Sequence, residues 1–239
     1  MHSRALVLAS LLGSATVALA CLPAASVGYP RDPYNSLHDG AASVQFLTFG
    51  GGYRTPFRTS GFYFKTHLSD RTAFRVGTDF SLDESSATDP LRDDVNYSSN
   101  TRSYSISVSS EFQRYIDGDG SVTVFLGFGP YWSRGRNYFD YASRRYADLY
   151  GRAWFDTYQN ETRGWEVGAS AAVGFEWFFK RKLSLLGRVG SSVGFGRRHE
   201  IRHSNYFDGI QNHPSVERSD ATTATAGFSG AALGIGVYF

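Results

Sequence analysis

Residues 165–177 read WEVGASAAVGFEW, and their pattern indicates the fold class of the whole chain. Apolar side chains stand at every second position from Trp165 to Trp177, and the positions between them hold only Glu, Gly, Ser and Ala. A period of two places the two sets on opposite faces of a β-strand. The stretch therefore predicts a strand with one apolar face and one face of small and charged residues.

The same period recurs through the body of the chain, and together the segments predict eight strands, most of them about ten residues long. The other segments are 60–68, 72–83, 103–113, 122–132, 183–195, 223–239 and 43–49, the last with ambiguous faces. The short connectors are 68–72, 117–121 and 179–182, and the longer ones are 50–59, 84–102, 133–163 and 197–222. Short turns on one rim and long loops on the other are typical of outer-membrane barrels.

The face opposite the apolar side chains carries charged residues among the small ones. These residues are Lys65, Arg75, Asp79, Glu111, Glu166, Glu176 and Arg188. An eight-stranded barrel has an interior that side chains fill, and unpaired charges there would be costly. We therefore expect a lumen polar network in which these charges pair across strands. A gated conduction path is the alternative use of the same residues.

Aromatic residues stand near the ends of the apolar faces. Trp132 and Trp165 lie toward the long loops, and Trp177 lies toward a short turn. Two such girdles mark the two water interfaces of a membrane barrel. Because a soluble barrel would direct its apolar face inward, the sequence predicts an all-β fold, an eight-stranded antiparallel transmembrane up-and-down β-barrel.

The N-terminus has the layout of a secretory signal. Residues 1–20 combine a short basic start, an apolar run and a small-residue end, which predicts a signal peptide. Residues 21–42 are rich in Pro, Ser, Asn and Asp and predict a periplasmic linker, which leaves 43–239 as the barrel. Cys21 is a candidate for lipidation, although Ala18 stands where bacterial lipoproteins usually have Leu; an incidental cysteine beside ordinary cleavage is the alternative.

These features together resemble one family. The signal, the alternating segments and the C-terminal LGIGVYF, which ends at Phe239, resemble the small eight-stranded outer-membrane β-barrel proteins of the porin-like superfamily, of the OmpA or OmpX type. The resemblance covers residues 43–239. It implies a location in the bacterial outer membrane, with outer-membrane lipid and lipopolysaccharide as neighbours. It also implies that Phe239 is an assembly signal for the barrel-assembly machinery. Activity does not follow from such a fold.

The predicted loop 133–163 interleaves arginines with aromatic residues, which is typical of binding surfaces. The candidate surface-loop residues are Arg134, Arg136, Arg144, Arg145, Arg152, Tyr141, Tyr146, Tyr150 and Trp154. On the outer rim they would meet lipopolysaccharide phosphates or an extracellular protein or glycan ligand. The expected function is non-enzymatic: envelope structure with surface-loop binding or adhesion. The alternatives are a narrow or gated small-solute pore and a lipid-modifying barrel enzyme.

Composition argues against several other classes. The 239 residues include one cysteine, which excludes a disulfide framework and a multi-cysteine metal site. A formal charge of +2 gives no general attraction to nucleic acid, so we expect no nucleic-acid partner. Residues 199–203 match H-E-x-x-H, but histidines so spaced on a strand are too far apart to share one zinc. We expect no catalytic residues, no metal and no cofactor.

Overall fold

A computed structural model describes residues 37–49, 59–91, 95–116, 120–145, 154–207 and 210–239. Eight strands account for nearly all of them. The strands are β1 (Ala42–Phe49), β2 (Thr59–Ser69), β3 (Thr72–Leu91), β4 (Val95–Tyr115), β5 (Val122–Arg145), β6 (Trp154–Lys180), β7 (Leu183–Phe207) and β8 (Asn212–Tyr238). No helix in these ranges is long and apolar enough to cross a membrane.

Each strand pairs with its neighbours in the chain, and the last strand returns to the first. β1 lies antiparallel to β2, with Val44 opposite Phe64, and antiparallel to β8, with Val44 opposite Val237. The sheet is therefore a closed barrel in simple sequence order. This confirms the predicted eight-stranded antiparallel up-and-down barrel.

The predicted strand lengths were wrong for six of the eight strands. β3 to β8 have 20, 21, 24, 27, 25 and 27 residues, and β1 and β2 have only 8 and 11. Most of the predicted loops 84–102, 133–163 and 197–222 are continuations of the hairpins, as in the pairing of Asn137 with Thr162. The apolar period stops where both faces of a hairpin meet water, although the hydrogen-bonded ladder continues there. A rule based on apolar alternation therefore ends these strands too early.

Burial shows which face is which. On β2, Tyr63 and Lys65 are 2% and 0% exposed, whereas Phe62 and Phe64 are 46% and 41% exposed. The interior is thus polar and the outside apolar, which is the arrangement of a barrel in lipid. Trp165 and Trp177 are twelve residues apart on β6, or roughly 28 Å across the membrane at a tilt near 45°. The apolar band between these two levels has the height of a lipid bilayer's hydrocarbon core.

The chain ahead of β1 enters the short-turn end of the barrel. Leu37 is fully buried with Tyr115, Phe125 and Phe178 in one apolar cluster. The backbone N–H of Gly40 donates to the carbonyl of His67 at 3.0 Å, and this glycine has a left-handed φ of 79°. Leu37 and Ala41, predicted as part of the linker 21–42, are therefore packed into the barrel mouth, and residues 38–40 between them are exposed. The predicted signal peptide 1–20 and Cys21 lie outside the described residues.

Leu37 should contribute to stability as a core residue does. We expect Leu37→Ala to lower the free energy of unfolding by about 2–5 kcal/mol, because it leaves a cavity in the apolar cluster. The measurement is the urea midpoint in lipid vesicles, followed by tryptophan fluorescence. Ile210→Ala is the control, since Ile210 is 75% exposed. Equal midpoints for the two variants would contradict the packing of Leu37.

Candidate functional site

The seven charged residues predicted for the lumen all occupy inward positions of the barrel. Lys65 lies on β2, Arg75 and Asp79 on β3, Glu111 on β4, Glu166 and Glu176 on β6 and Arg188 on β7. Their alternation with the outward apolar residues places them there. They form three groups, stacked along the barrel axis.

The first group is built around Glu176, near the short-turn end. Lys65 Nζ lies 2.6 Å from Glu176 Oε2, and both side chains are fully buried. The Tyr115 hydroxyl donates to the same oxygen at 2.9 Å. Ser184 and Tyr238 donate to Glu176 Oε1 at 2.6 and 2.7 Å. Four donors from four other strands thus surround one carboxylate and balance its charge.

The second group is built around Glu111. Arg75 and Arg188 both reach Glu111 Oε2, at 3.0 and 2.8 Å. Gln113 donates to Glu111 Oε1 at 2.7 Å. The Arg75 guanidinium lies 4.3 Å from the centre of the Tyr63 ring. Two cations from β3 and β7 therefore meet one anion from β4 across the lumen.

The third group lies closer to the long hairpins. Asp79 accepts hydrogen bonds from the Tyr63 hydroxyl and from Ser107, the latter at 3.2 Å. Glu166 accepts a hydrogen bond from the Tyr131 hydroxyl. Both carboxylates pair with hydroxyl groups, and neither forms an ion pair with a described residue. The lumen carboxylates are thus held in two ways, by ion pairs toward the short-turn end and by tyrosine hydroxyls toward the long hairpins.

Inward-facing glycines make room for these groups. A Cβ built on Gly168 would lie 2.7 Å from the Tyr131 ring. A Cβ on Gly127 would stand 2.5 Å from Glu111 Cδ. This explains why small residues alternate with the apolar ones in the sequence. Larger side chains at these inward positions would displace the buried side chains of the network.

Sequence reasoning missed the tyrosines of the network. Tyr63, Tyr115, Tyr131 and Tyr238 all face inward and donate to the carboxylates. The parity of Tyr63 and Tyr238 already placed them on the polar face, and this signal was available. Tyrosine also belongs to membrane girdles, so residue type alone did not distinguish the two uses.

The girdle tryptophans all face outward. Trp132, Trp165 and Trp177 are 40%, 45% and 45% exposed. The proposed assembly residue Phe239 is also exposed, and its backbone N–H donates to the Ala42 carbonyl at 3.0 Å. The C-terminal residue is thus held beside β1, on the side where the barrel closes.

The residues predicted for a binding loop do not form one loop. Arg134, Arg136 and Tyr141 lie within β5, the two arginines on the outer face and Tyr141 on the inner one. Arg144, Arg145 and Trp154 lie at strand ends, where only the backbone is described. Tyr146, Tyr150 and Arg152 lie outside the described residues. The prediction of a loop was wrong for its strand portion because the hairpin ladder extends beyond the apolar pattern.

Ion pairs also link the hairpins beyond the membrane. Glu161 accepts hydrogen bonds from Arg163 and from Arg136. These two guanidinium groups lower the pKa of Glu161 to about 2. Arg202 and Asn160 both donate hydrogen bonds to Glu200. These bonds hold the pKa of that carboxyl below its usual range, and Arg202 has the larger effect. Such pairs stabilise the hairpins where lipid does not.

The H-E-x-x-H match at 199–203 lies on β7. His199 and His203 both face outward, and His199 Nδ1 lies 2.8 Å from Asp220 Oδ1. Across the described ranges, no three His, Cys, Asp or Glu residues are grouped so that they could hold a metal ion.

Comparison with known proteins found similar solved structures but no matching family. No family model and no curated protein sequence matches the chain. A major outer membrane protein from Thermus thermophilus is 17% identical, with a TM-score of 0.40 over 84% of this chain and 100% of that one. Acinetobacter baumannii CarO2 is 10% identical, with a TM-score of 0.38 over 84% and 99%. The N-terminal barrel domain of Pseudomonas aeruginosa OprF is 11% identical, with a TM-score of 0.36 over 84% and 98%. Likeness at this level carries no argument about function.

The Lys65–Glu176 pair gives the sharpest test of the network. We expect Glu176→Gln to cost about 3–5 kcal/mol in the free energy of unfolding, because Lys65 is left buried without an anion. Glu84→Gln is the control: its pair with Arg102 is 61% and 62% exposed, so we expect about 0–1 kcal/mol. The measurement is urea unfolding in lipid vesicles. Equal losses would contradict the buried network.

Glu161 allows a pH test outside the membrane. We expect its carboxyl to titrate near pH 2, well below the ordinary value of 4.5. Because the folded-state pKa is lowered, the stabilisation by Arg163 and Arg136 is complete above pH 4.5 and is lost as the pH falls through about 2. Carboxyl NMR of the protein in micelles gives the pKa directly. The Arg163→Gln variant should raise it, and an unchanged value would contradict the assignment.

Proposed function

We propose that this protein is a non-enzymatic envelope protein, whose closed barrel anchors a binding surface outside the cell. The observation that carries the proposal is the contrast between the two parts of the molecule. The membrane part is filled by paired side chains, and six strands continue well beyond the tryptophan girdle. A chain that only sealed the membrane would need strands of about 9–11 residues.

The filled lumen supports an anchoring role over a transport role. The Glu176 and Glu111 groups occupy two successive levels of the barrel, and the Leu37 cluster occupies the short-turn end. A solute would have to displace several buried charge-assisted contacts to pass. For this reason we rank the narrow or gated pore second. Conduction of small solutes would be the evidence for it.

The strand extensions support binding at the surface. In the described part of the chain β3 to β8 rise beyond the girdle, whereas β1 is described to Phe49 and β2 from Thr59. On the inner face of this sheet, the rings of Phe139 and Tyr158 lie 6.0 Å apart, and those of Tyr206 and His213 lie 6.2 Å apart. Rigid aromatic side chains are enriched among the residues that dominate binding energy at protein interfaces. We propose an extracellular protein or glycan as the ligand of the β5–β8 part of this sheet, where these ring pairs lie.

Shortening a hairpin tests the binding role. Residues between Tyr138 and Glu161, which are paired in the ladder, are replaced by an Asn-Gly turn in the full chain. The matched control shortens the β3–β4 hairpin in the same way at Asp83 and Ser103, another paired position. We expect the first variant alone to reduce adhesion of expressing cells to glycan- or protein-coated surfaces by about tenfold.

The adhesion measurement is interpreted only for hairpin variants that fold. Folding is checked by the heat-dependent gel mobility of the outer-membrane fraction. Unchanged adhesion of the folded β5–β6 variant would contradict the proposed binding surface. A changed mass of lipid A in expressing cells would contradict the non-enzymatic assignment and favour the lipid-modifying alternative.

A further inference from the structure

An arginine follows the apolar band on four neighbouring strands. On each of them it is the next outward-facing residue beyond the aromatic one at the upper edge of the band. The residues are Arg102 after Tyr104 on β4, Arg134 after Trp132 on β5, Arg163 after Trp165 on β6 and Arg197 after Phe195 on β7. We call these four residues the arginine row. The four arginines are far apart in the sequence, and the pairing of the strands brings them together.

Two members of the row have no counter-charge among the described residues. Arg102 pairs with Glu84 at 2.8 Å, and Arg163 pairs with Glu161. Within the part of the chain that the structure describes, Arg134 and Arg197 form no ion pair. A surface stabilised only by its own salt bridges would alternate the two signs of charge. In the arginine row, the guanidinium groups of Arg134 and Arg197 instead have no ion-pair partner among the described residues.

Arg134 and Arg197 flank a tryptophan. In the ladder, Trp165 lies opposite Arg134 on one side and opposite Arg197 on the other. An open groove of about 560 Å³ on the outer wall is lined by all three, together with Trp132 and Arg163. Asp220 also lines this groove, and it is paired with His199 at 2.8 Å. The groove thus offers cationic donors directly above an apolar and aromatic surface.

The position of the groove selects its ligand. Tryptophan girdles lie at the level of the lipid headgroups, so a molecule bound here has a charged head level with the arginines and an apolar part beside the band below. Guanidinium groups bind phosphate through paired hydrogen bonds. We propose that Arg134 and Arg197, with Arg163, bind the phosphate groups of a phosphorylated glycolipid in the outer leaflet. This goes beyond the proposed surface binding and requires only that the barrel lie in the outer membrane.

Native mass spectrometry of the intact protein tests the assignment. The protein is purified from the outer membrane in a non-ionic detergent and titrated with diphosphorylated lipid A or with the same lipid after removal of both phosphates. We expect wild type to prefer the diphosphorylated lipid by at least about tenfold, and Arg134→Gln/Arg197→Gln to lose that preference. The control is Arg198→Gln/Lys182→Gln, which removes two charges from the inner face of β7 and from the short turn. It should bind as wild type does.

Three results would overturn the proposal. The first is equal binding of the two lipids by wild type. The second is an unchanged preference in the Arg134→Gln/Arg197→Gln variant, or an equal loss in the control. The third is displacement of the lipid by inorganic phosphate at the same concentration, which would indicate a general anion site. None of these results depends on the adhesion of whole cells, so this proposal and the surface-binding role fail separately.

Discussion

A carboxylate that points into an eight-stranded barrel meets side chains and little water, so its charge must be balanced by the facing walls. Glu176 shows how strong this constraint is. It stands on β6 and receives donors from Lys65 on β2, Tyr115 on β4, Ser184 on β7 and Tyr238 on β8. Losing one partner of a buried ion pair costs about 3–5 kcal/mol. One side chain thereby holds strands from all sides of the barrel together.

The rest of the wall is arranged around that requirement. The strand register is fixed because a shift by one residue would turn Glu176 toward lipid and Trp177 inward. Small residues are needed beside the network, as Gly127 is beside Glu111. The tyrosine hydroxyls contribute donors without adding charge. The outer face is free of these demands, so it carries the apolar band and, beyond it, the arginines.

The sequence predicts the membrane part of this molecule well and the outer part poorly. Alternation located the membrane-crossing part of all eight strands, because lipid outside and side chains inside impose opposite chemistry on the two faces. Beyond Trp165 both faces are wet, the period disappears, and Arg134 and Arg136 were assigned to a loop although they lie on β5. The burial of Leu37 had no signal in a proline-rich stretch, since it depends on the shape of the barrel mouth.

Electrical recording shows whether paired side chains close the lumen. The full-length protein, purified from the outer membrane, is inserted into planar lipid bilayers and held under an applied potential in concentrated salt. Because the Glu176 and Glu111 groups and the Leu37 cluster fill successive levels, we expect no current through the membrane after insertion. Reproducible unitary current steps from the folded wild-type protein would contradict it, and the gated small-solute pore would then replace the anchoring role.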